Sequence, residues 1–389
     1  MKIVYIYPIF IHLAGTERVF TDKMNYLADK MGYDVTLLTY EQGDHPFPFP
    51  LSSKVKHVDL DARFFTLYRY TRIVRWFKEW RLSQSLRQRF NGIMIEMSPD
   101  IVIAPTYYPN VLSMIAQCPT KFFKILESHI DKRFILINES WRNKNIFQIV
   151  RSAYHTFIEN RASKHFDILV ALNPEDADDW ARYVKTIVIP NVAHLQDEGK
   201  CSYLINKRVI FAGRLIEQKG VFDLLKIWSI VYAKHPDWQL DIYGDGELRD
   251  ELEKRIDKMN IGVKLHLPTA KIMDKFCDSS IFVLSSIFEP LGLVIVEAMS
   301  CGLPVVSFDC PYGPSGIISD GKDGFLIPNR DVQLFADRVC ELIESYDLRK
   351  KMGAQGAKSS QRYSAEKIMP QWIHLFENII SSDGRNNQN

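Results

Sequence analysis

The chain has no CxxC pair and no metal-ligand spacing among its six cysteines, at positions 118, 201, 277, 301, 310 and 340. That scatter excludes a disulfide framework and a structural zinc site, and it predicts reduced thiols in a cytoplasmic compartment. No apolar run reaches about 18 residues, so no segment is expected to span a membrane. The opening MKIVYIYPIF turns polar at His12, which predicts a first strand and not a signal peptide. Charge is balanced too, with 49 Lys and Arg against 47 Asp and Glu, and a net charge of +2 demands no nucleic-acid partner. Low-complexity segments and short solenoid repeats are absent.

What remains is a soluble globular composition, 46% hydrophobic and 25% charged, with 389 residues that suit two domains. Short apolar runs bounded by turn residues recur at 2–7, 34–40, 100–105, 122–128, 167–173 and 186–191. Helical patterns such as 16–32 lie between them, which predicts βα units and a largely parallel sheet. After the loop 191–207 the pattern repeats at 208–213, 238–244, 263–267, 281–286 and 304–308. The expected fold class is therefore α/β, with two Rossmann-like domains at 1–192 and 207–363 facing each other across a ligand cleft. An amphipathic helix at 364–380 is expected to return to the N-terminal domain, ahead of a disordered tail.

Two carboxylates stand out in SSIFEPLGLVIVEAMSCGLPVV, residues 285–306. Glu289 precedes a helix start marked by Pro290, and Glu297 lies inside that helix, ahead of a stop at Gly302 and Pro304. The pair would stand about 9 to 12 Å apart, with unsatisfied N–H groups near Gly292 and Leu293 between them. Carboxylates suit sugar hydroxyls and helix-start N–H groups suit phosphate, so one element would hold a nucleotide sugar. The plainer reading is that both glutamates merely complement a helix dipole.

Other candidates follow strand ends. Arg214 and Lys219, in GRLIEQKG after a strand, form a diphosphate cradle or two solvated surface charges. Gly15, between the first strand and first helix, lets a backbone approach a phosphate or serves only as a turn. YGDGELRD at 243–250 looks like a dinucleotide fingerprint but lacks its third glycine. His129, at the end of the apolar strand 122–128, is a hydrogen-bond partner for a sugar hydroxyl or a structural histidine. Residues 63–89 carry eight cations against Glu79 alone, interleaved with Phe64, Phe65, Tyr68, Tyr70, Trp76, Phe77 and Trp80. We read Arg69, Arg72, Arg75, Trp76, Lys78 and Trp80 as a surface for anionic lipid headgroups; the alternative is a helix that packs its aromatics into its own domain.

GRLIEQKG, EPLGLVIVEAMSCGLPVV and DGKDGFLIP, in this order, resemble the family 4 retaining glycosyltransferases of the GT-B fold. The segment 308–321 is similar to members acting in bacterial surface polysaccharide or glycan assembly, although Gly316 stands where they carry Glu and Ala14 where they carry a second glycine. The resemblance implies transfer of a hexosyl group from a nucleotide diphosphate sugar, with UDP the expected nucleotide, to a glycan or polyprenyl-diphosphate-linked acceptor. It implies no metal ion and no cofactor beyond the donor. It also implies Glu289 at the donor sugar, Glu297 at the ribose, Arg214 and Lys219 at the diphosphate, and His129 beside the sugar. A sugar-nucleotide epimerase or hydrolase, or a non-catalytic nucleotide-sugar-binding partner, is the alternative. The expected location is cytoplasmic, at or near the inner membrane face.

Overall fold

The computed structural model describes residues 1–11, 15–130, 132, 146–196 and 201–382. The chain divides into two units, Met1–Ile189 with Gln371–Asn389, and Pro190–Pro370. The first holds a seven-stranded sheet in the order β3-β2-β1-β4-β5-β6-β7. Its strands are β1 Lys2–Ile6, β2 Asp34–Thr39, β3 Lys56–Asp59, β4 Ile101–Pro105, β5 Phe123–Glu127, β6 Ile168–Ala171 and β7 Thr186–Val188. The second holds six strands in the order β10-β9-β8-β11-β12-β13. These are β8 Arg208–Ala212, β9 Gln239–Tyr243, β10 Val263–His266, β11 Ile281–Leu284, β12 Val305–Asp309 and β13 Gly324–Pro328.

Every strand pair is parallel. Parallel sheets are covered on both faces, which is why β4 and β11 read as unbroken apolar runs and are buried throughout. Strand order reverses between β1 and β4 in one sheet and between β8 and β11 in the other, and ligands of open α/β sheets bind outside the carboxyl ends at such points. In the second unit that position belongs to the loops after β8 and β11.

Three local features differ from the sequence reading. β3 and β13 are not among the expected strands. Each lies at a sheet edge, and β3, KHVD, carries no apolar run because an edge position does not need one, whereas β13, GFLIP, is apolar and the sequence reading misses it. The basic segment is not one helix but a 3-10 turn, Phe64–Arg69, and a helix, Arg72–Met97, separated where Tyr70 and Thr71 adopt extended backbone. The cysteines, scattered in sequence, partly converge: a hydrogen bond with Cys277 and burial push the Cys301 thiol up, with Cys201 also close by. All six are free thiols, and no metal-binding group of three His, Cys, Asp or Glu occurs among the described residues.

Candidate functional site

In the second unit the loops after β8 and β11 are joined by hydrogen bonds. The Gln218 carbonyl accepts from the Ile287 N–H at 2.8 Å, and its Nε2 donates to the Phe288 carbonyl at 3.0 Å. Ser285 Oγ donates to the Lys219 carbonyl at 2.9 Å, and Gly220, at φ 61°, leaves room for the Ser285 carbonyl where a side chain would collide. This stitching brings the ammonium of Lys219 onto Glu289 Oε2, which also accepts from Ser286 Oγ at 3.1 Å. Both charged side chains are about nine-tenths buried, so each compensates the other. The resemblance assigned them to different parts of a donor; the structure pairs them directly.

A third loop holds the backbone of Glu289 from the other side. Its carbonyl accepts from the Gly313 N–H at 2.7 Å, and a Cβ on Gly313 would stand 2.6 Å from the carbonyl oxygens of Glu289 and Leu291. Tyr312 before it adopts φ 81° and ψ −71°, a γ-turn conformation strained for any residue with a side chain, with its ring edge-on to Phe288 at 5.3 Å. Cys310 is buried here, and burial followed by the negative charge of Glu289 pushes its thiol up.

The helix that follows starts later than Pro290 predicts. Residues 290–292 form a strap, Gly292 turns it left-handed at φ 83°, and the helix runs Leu293–Ser300. Its first turn leaves N–H groups without intrahelical acceptors beside the Lys219–Glu289 pair. Glu297 is half-buried on this helix. Arg214 is exposed on the loop after β8, and its guanidinium makes no hydrogen bond or ion pair among the described residues. The glycines of YGDGELRD pack against this loop: a Cβ at Gly246 would lie 2.6 Å from the Leu215 carbonyl oxygen. They serve close packing under the cradle. Gln218 and the 310–313 turn were not singled out in the sequence, because their roles are to touch other loops, and Ser286 was not because its role is to hold the Glu289 carboxylate within its own loop.

In the first unit, Gly15 is the first residue of the helix Gly15–Asp29, and a Cβ added to it would meet no atom within 4 Å; Ala14 lies outside the described residues. His129 follows β5 and is buried, with Nε2 3.0 Å from Glu127 Oε2. Lys23 Nζ approaches the same oxygen at 2.5 Å. Beyond β1 and β4, Tyr7 Oη lies 2.9 Å from Tyr107 Oη and 3.5 Å from buried Glu17, and burial pushes both phenols up. Past His129, the Lys132 N–H donates to Asp176 at 2.9 Å, and Nζ donates to Asn160 at 2.5 Å between the rings of Trp180 and Tyr183. Burial brings Lys132 down to about 8 and raises Glu159 beside it to about 7.

The basic segment leaves most of its aromatics uncovered. Phe65, Tyr68, Trp76, Phe77 and Trp80 are 55–71% exposed, and Ile73 is 75% exposed. Ile73, Trp76, Phe77 and Trp80 recur at the helical spacing that makes one stripe. Exposed Arg69 and Arg75 and partly covered Lys78 border it, while the side chain of Arg72 lies outside the described residues. The helix is held to its unit further along, by Leu86, Phe90 and Met94. No described helix is long and apolar enough to cross a membrane.

Residues 202–359 match the family model described as Glycosyl transferases group 1. An uncharacterized glycosyltransferase of Methanocaldococcus jannaschii is 30% identical over 339 residues, 74% of this chain and 82% of the relative. The amylovoran biosynthesis glycosyltransferase AmsD of Erwinia amylovora is 26% identical over 373 residues, 93% of this chain and 95% of that protein. The crystal structure of an Anabaena protein, HepE, in complex with UDP and glucose gives a TM-score of 0.70 at 19% identity, over 97% of this chain and 99% of that one.

Proposed function

Because the chain belongs to the group 1 glycosyl transferases and has the GT-B fold, we propose that it moves a hexosyl group from a UDP-sugar to a glycan or lipid-linked sugar acceptor, with retention of configuration and without a metal ion. The observation that carries this reading is the buried Lys219–Glu289 pair at the reversal point of the second sheet, beside the start of the helix Leu293–Ser300. The UDP and glucose held by the Anabaena structure and the biosynthetic name of the Erwinia relative support a nucleotide sugar and a bacterial glycan.

The chemistry follows from charge. The bond from the anomeric carbon to phosphate breaks, and negative charge gathers on the diphosphate. Lys219, Arg214 and the N–H groups near Gly292 and Leu293 stabilise it, which is where fixed electrostatics contribute most. A diphosphate competes with Glu289 for the Lys219 ammonium, while Ser286 Oγ still anchors the carboxylate for the sugar hydroxyls. Glu297 takes the ribose. The acceptor oxygen bonds to the same face of the anomeric carbon, and its proton passes to the leaving phosphate oxygen, with His129 and Glu289 orienting the sugar.

The exposed stripe Ile73–Trp76–Phe77–Trp80 with its basic border supports a peripheral site on anionic membrane at the cytoplasmic face, where a polyprenyl-diphosphate-linked acceptor would lie. Thermal shift with a panel of UDP- and GDP-sugars tests the donor, because a ligand of the folded state raises the melting temperature by mass action. A rise with one or more UDP-sugars is expected. No rise with any UDP-sugar contradicts the reading.

A further inference from the structure

Beneath His129 the first unit buries one lysine and one glutamate at the meeting of three elements. Glu127 closes β5, Lys23 comes from the helix Gly15–Asp29, and Trp372 from the C-terminal helix Ala365–Ser382 covers the Lys23 ammonium at 3.8 Å from its ring centroid. Lys23 is 3% exposed and Glu127 1%. Neither charge is solvated, so each depends on the other and on its hydrogen bonds. Glu127 Oε2 takes both Lys23 Nζ, at 2.5 Å, and His129 Nε2, at 3.0 Å, and the His129 ring packs 4.8 Å from that of Phe20. Burial pushes Glu127 up, but Lys23 and then His129 outweigh it, and the carboxyl stays below its usual value.

An ionised carboxylate only accepts and an ammonium only donates. The hydrogen in the His129 contact therefore comes from the ring, which fixes the proton on Nε2. His129 Nδ1 makes no hydrogen bond among the described residues.

We propose that Glu127 is a positioning residue that holds His129 as the Nε2–H tautomer and leaves Nδ1 for the transferred sugar, with Lys23 keeping the carboxylate charged. The geometry stands by itself; its purpose rests on the proposed glycosyl transfer. A purely structural contact would set the same tautomer but leave transfer indifferent to it, so the loss of activity that depends on His129 separates the two.

The test uses the full chain with nitrogen-15-labelled histidine. The ring nitrogen shifts of wild-type His129 should report Nε2–H. In the double variant Lys23→Met, Glu127→Leu, where apolar side chains of similar volume replace the pair, His129 should become a mixture of tautomers. Sugar transfer should fall about 100-fold in kcat, the scale of a small misplacement of a reacting group, with donor KM little changed. The same double change made in His129→Ala should cost no further activity. Should the double variant fail to fold, Glu127→Asp, which withdraws the carboxylate by one methylene, should weaken the contact and shift the same resonances. A wild-type Nδ1–H tautomer, an unchanged tautomer in the variant that folds, or a further loss in His129→Ala overturns the proposal. The tautomer measurement needs no activity, so failure of the proposed reaction is read separately.

Discussion

Lys219 and Glu289, 70 residues apart in sequence, form one ion pair whose side chains are only 11% and 10% exposed. Removing one partner leaves the other charge buried without compensation, which costs about 3–5 kcal/mol, while replacing both with apolar side chains is often close to neutral. Lys219→Met and Glu289→Leu are each expected to lower the melting temperature of the second unit. The double variant should regain most of that loss and still transfer no sugar. Thermal unfolding followed beside a transfer assay checks this separation of stability from activity.

The Lys132–Glu159 cluster predicts a stability minimum between about pH 7 and 8. Glu159 has its ordinary value at 4.5 and about 7 in the fold, so from pH 4.5 to 7 the folded chain binds the extra proton and stability falls as pH rises. Lys132 moves from 10.5 to about 8, so from pH 8 to 10.5 the unfolded chain binds the extra proton and stability rises again. Glu159→Gln should flatten the acid-side descent. Denaturant unfolding across this range measures both limbs.

The exposed aromatic stripe predicts two-part membrane binding. Wild-type protein should float with anionic vesicles, and Arg69, Arg72 and Arg75 changed to Ser should weaken this in a salt-dependent way. Trp76→Ser with Trp80→Ser should weaken it at every salt concentration, because apolar insertion is not screened. Equal flotation by all three proteins, or none by any, contradicts the membrane assignment.

Gly316, where the family resemblance leads to an expectation of glutamate, predicts a tolerant position. A Cβ there meets nothing within 4 Å, and the Gly316 carbonyl accepts from Arg362 and from Tyr363 Oη at 3.1 Å through atoms any residue has. Gly316→Glu should change stability by no more than about 0.5 kcal/mol and alter which UDP-sugar gives the largest thermal shift.

The strands were legible because burial on both faces writes parallel strands as apolar runs, as in IVIAP at 101–105 and IFVL at 281–284. Edge strands such as KHVD at 56–59 carry no such run. Charged candidates in the second unit were visible as residue types after strands. Their partners were not: Gln218 and Gly313 matter through hydrogen bonds to other loops, such as the one from Gln218 across 70 residues, and Ser286 through a bond to Glu289 that only the folded loop makes, and no local pattern encodes those. The Lys23–Glu127–His129 contact spans 104 residues and was hidden for the same reason. The aromatic segment was ambiguous in sequence because exposed and packed aromatics share one spacing, and only burial separated them.

The most direct measurement is transfer of labelled hexose from a UDP-sugar to a polyprenyl-diphosphate-linked sugar, with the anomeric configuration of the product read by NMR, for wild type, Glu289→Ala and Lys219→Ala. Wild type is expected to give a product of the same anomeric configuration as the donor. Both variants should lose at least about 100-fold in rate, the scale of one lost electrostatic contact in the transition state. Inversion at the anomeric carbon, or transfer at the wild-type rate in both variants, would contradict retaining transfer at the Lys219–Glu289 site.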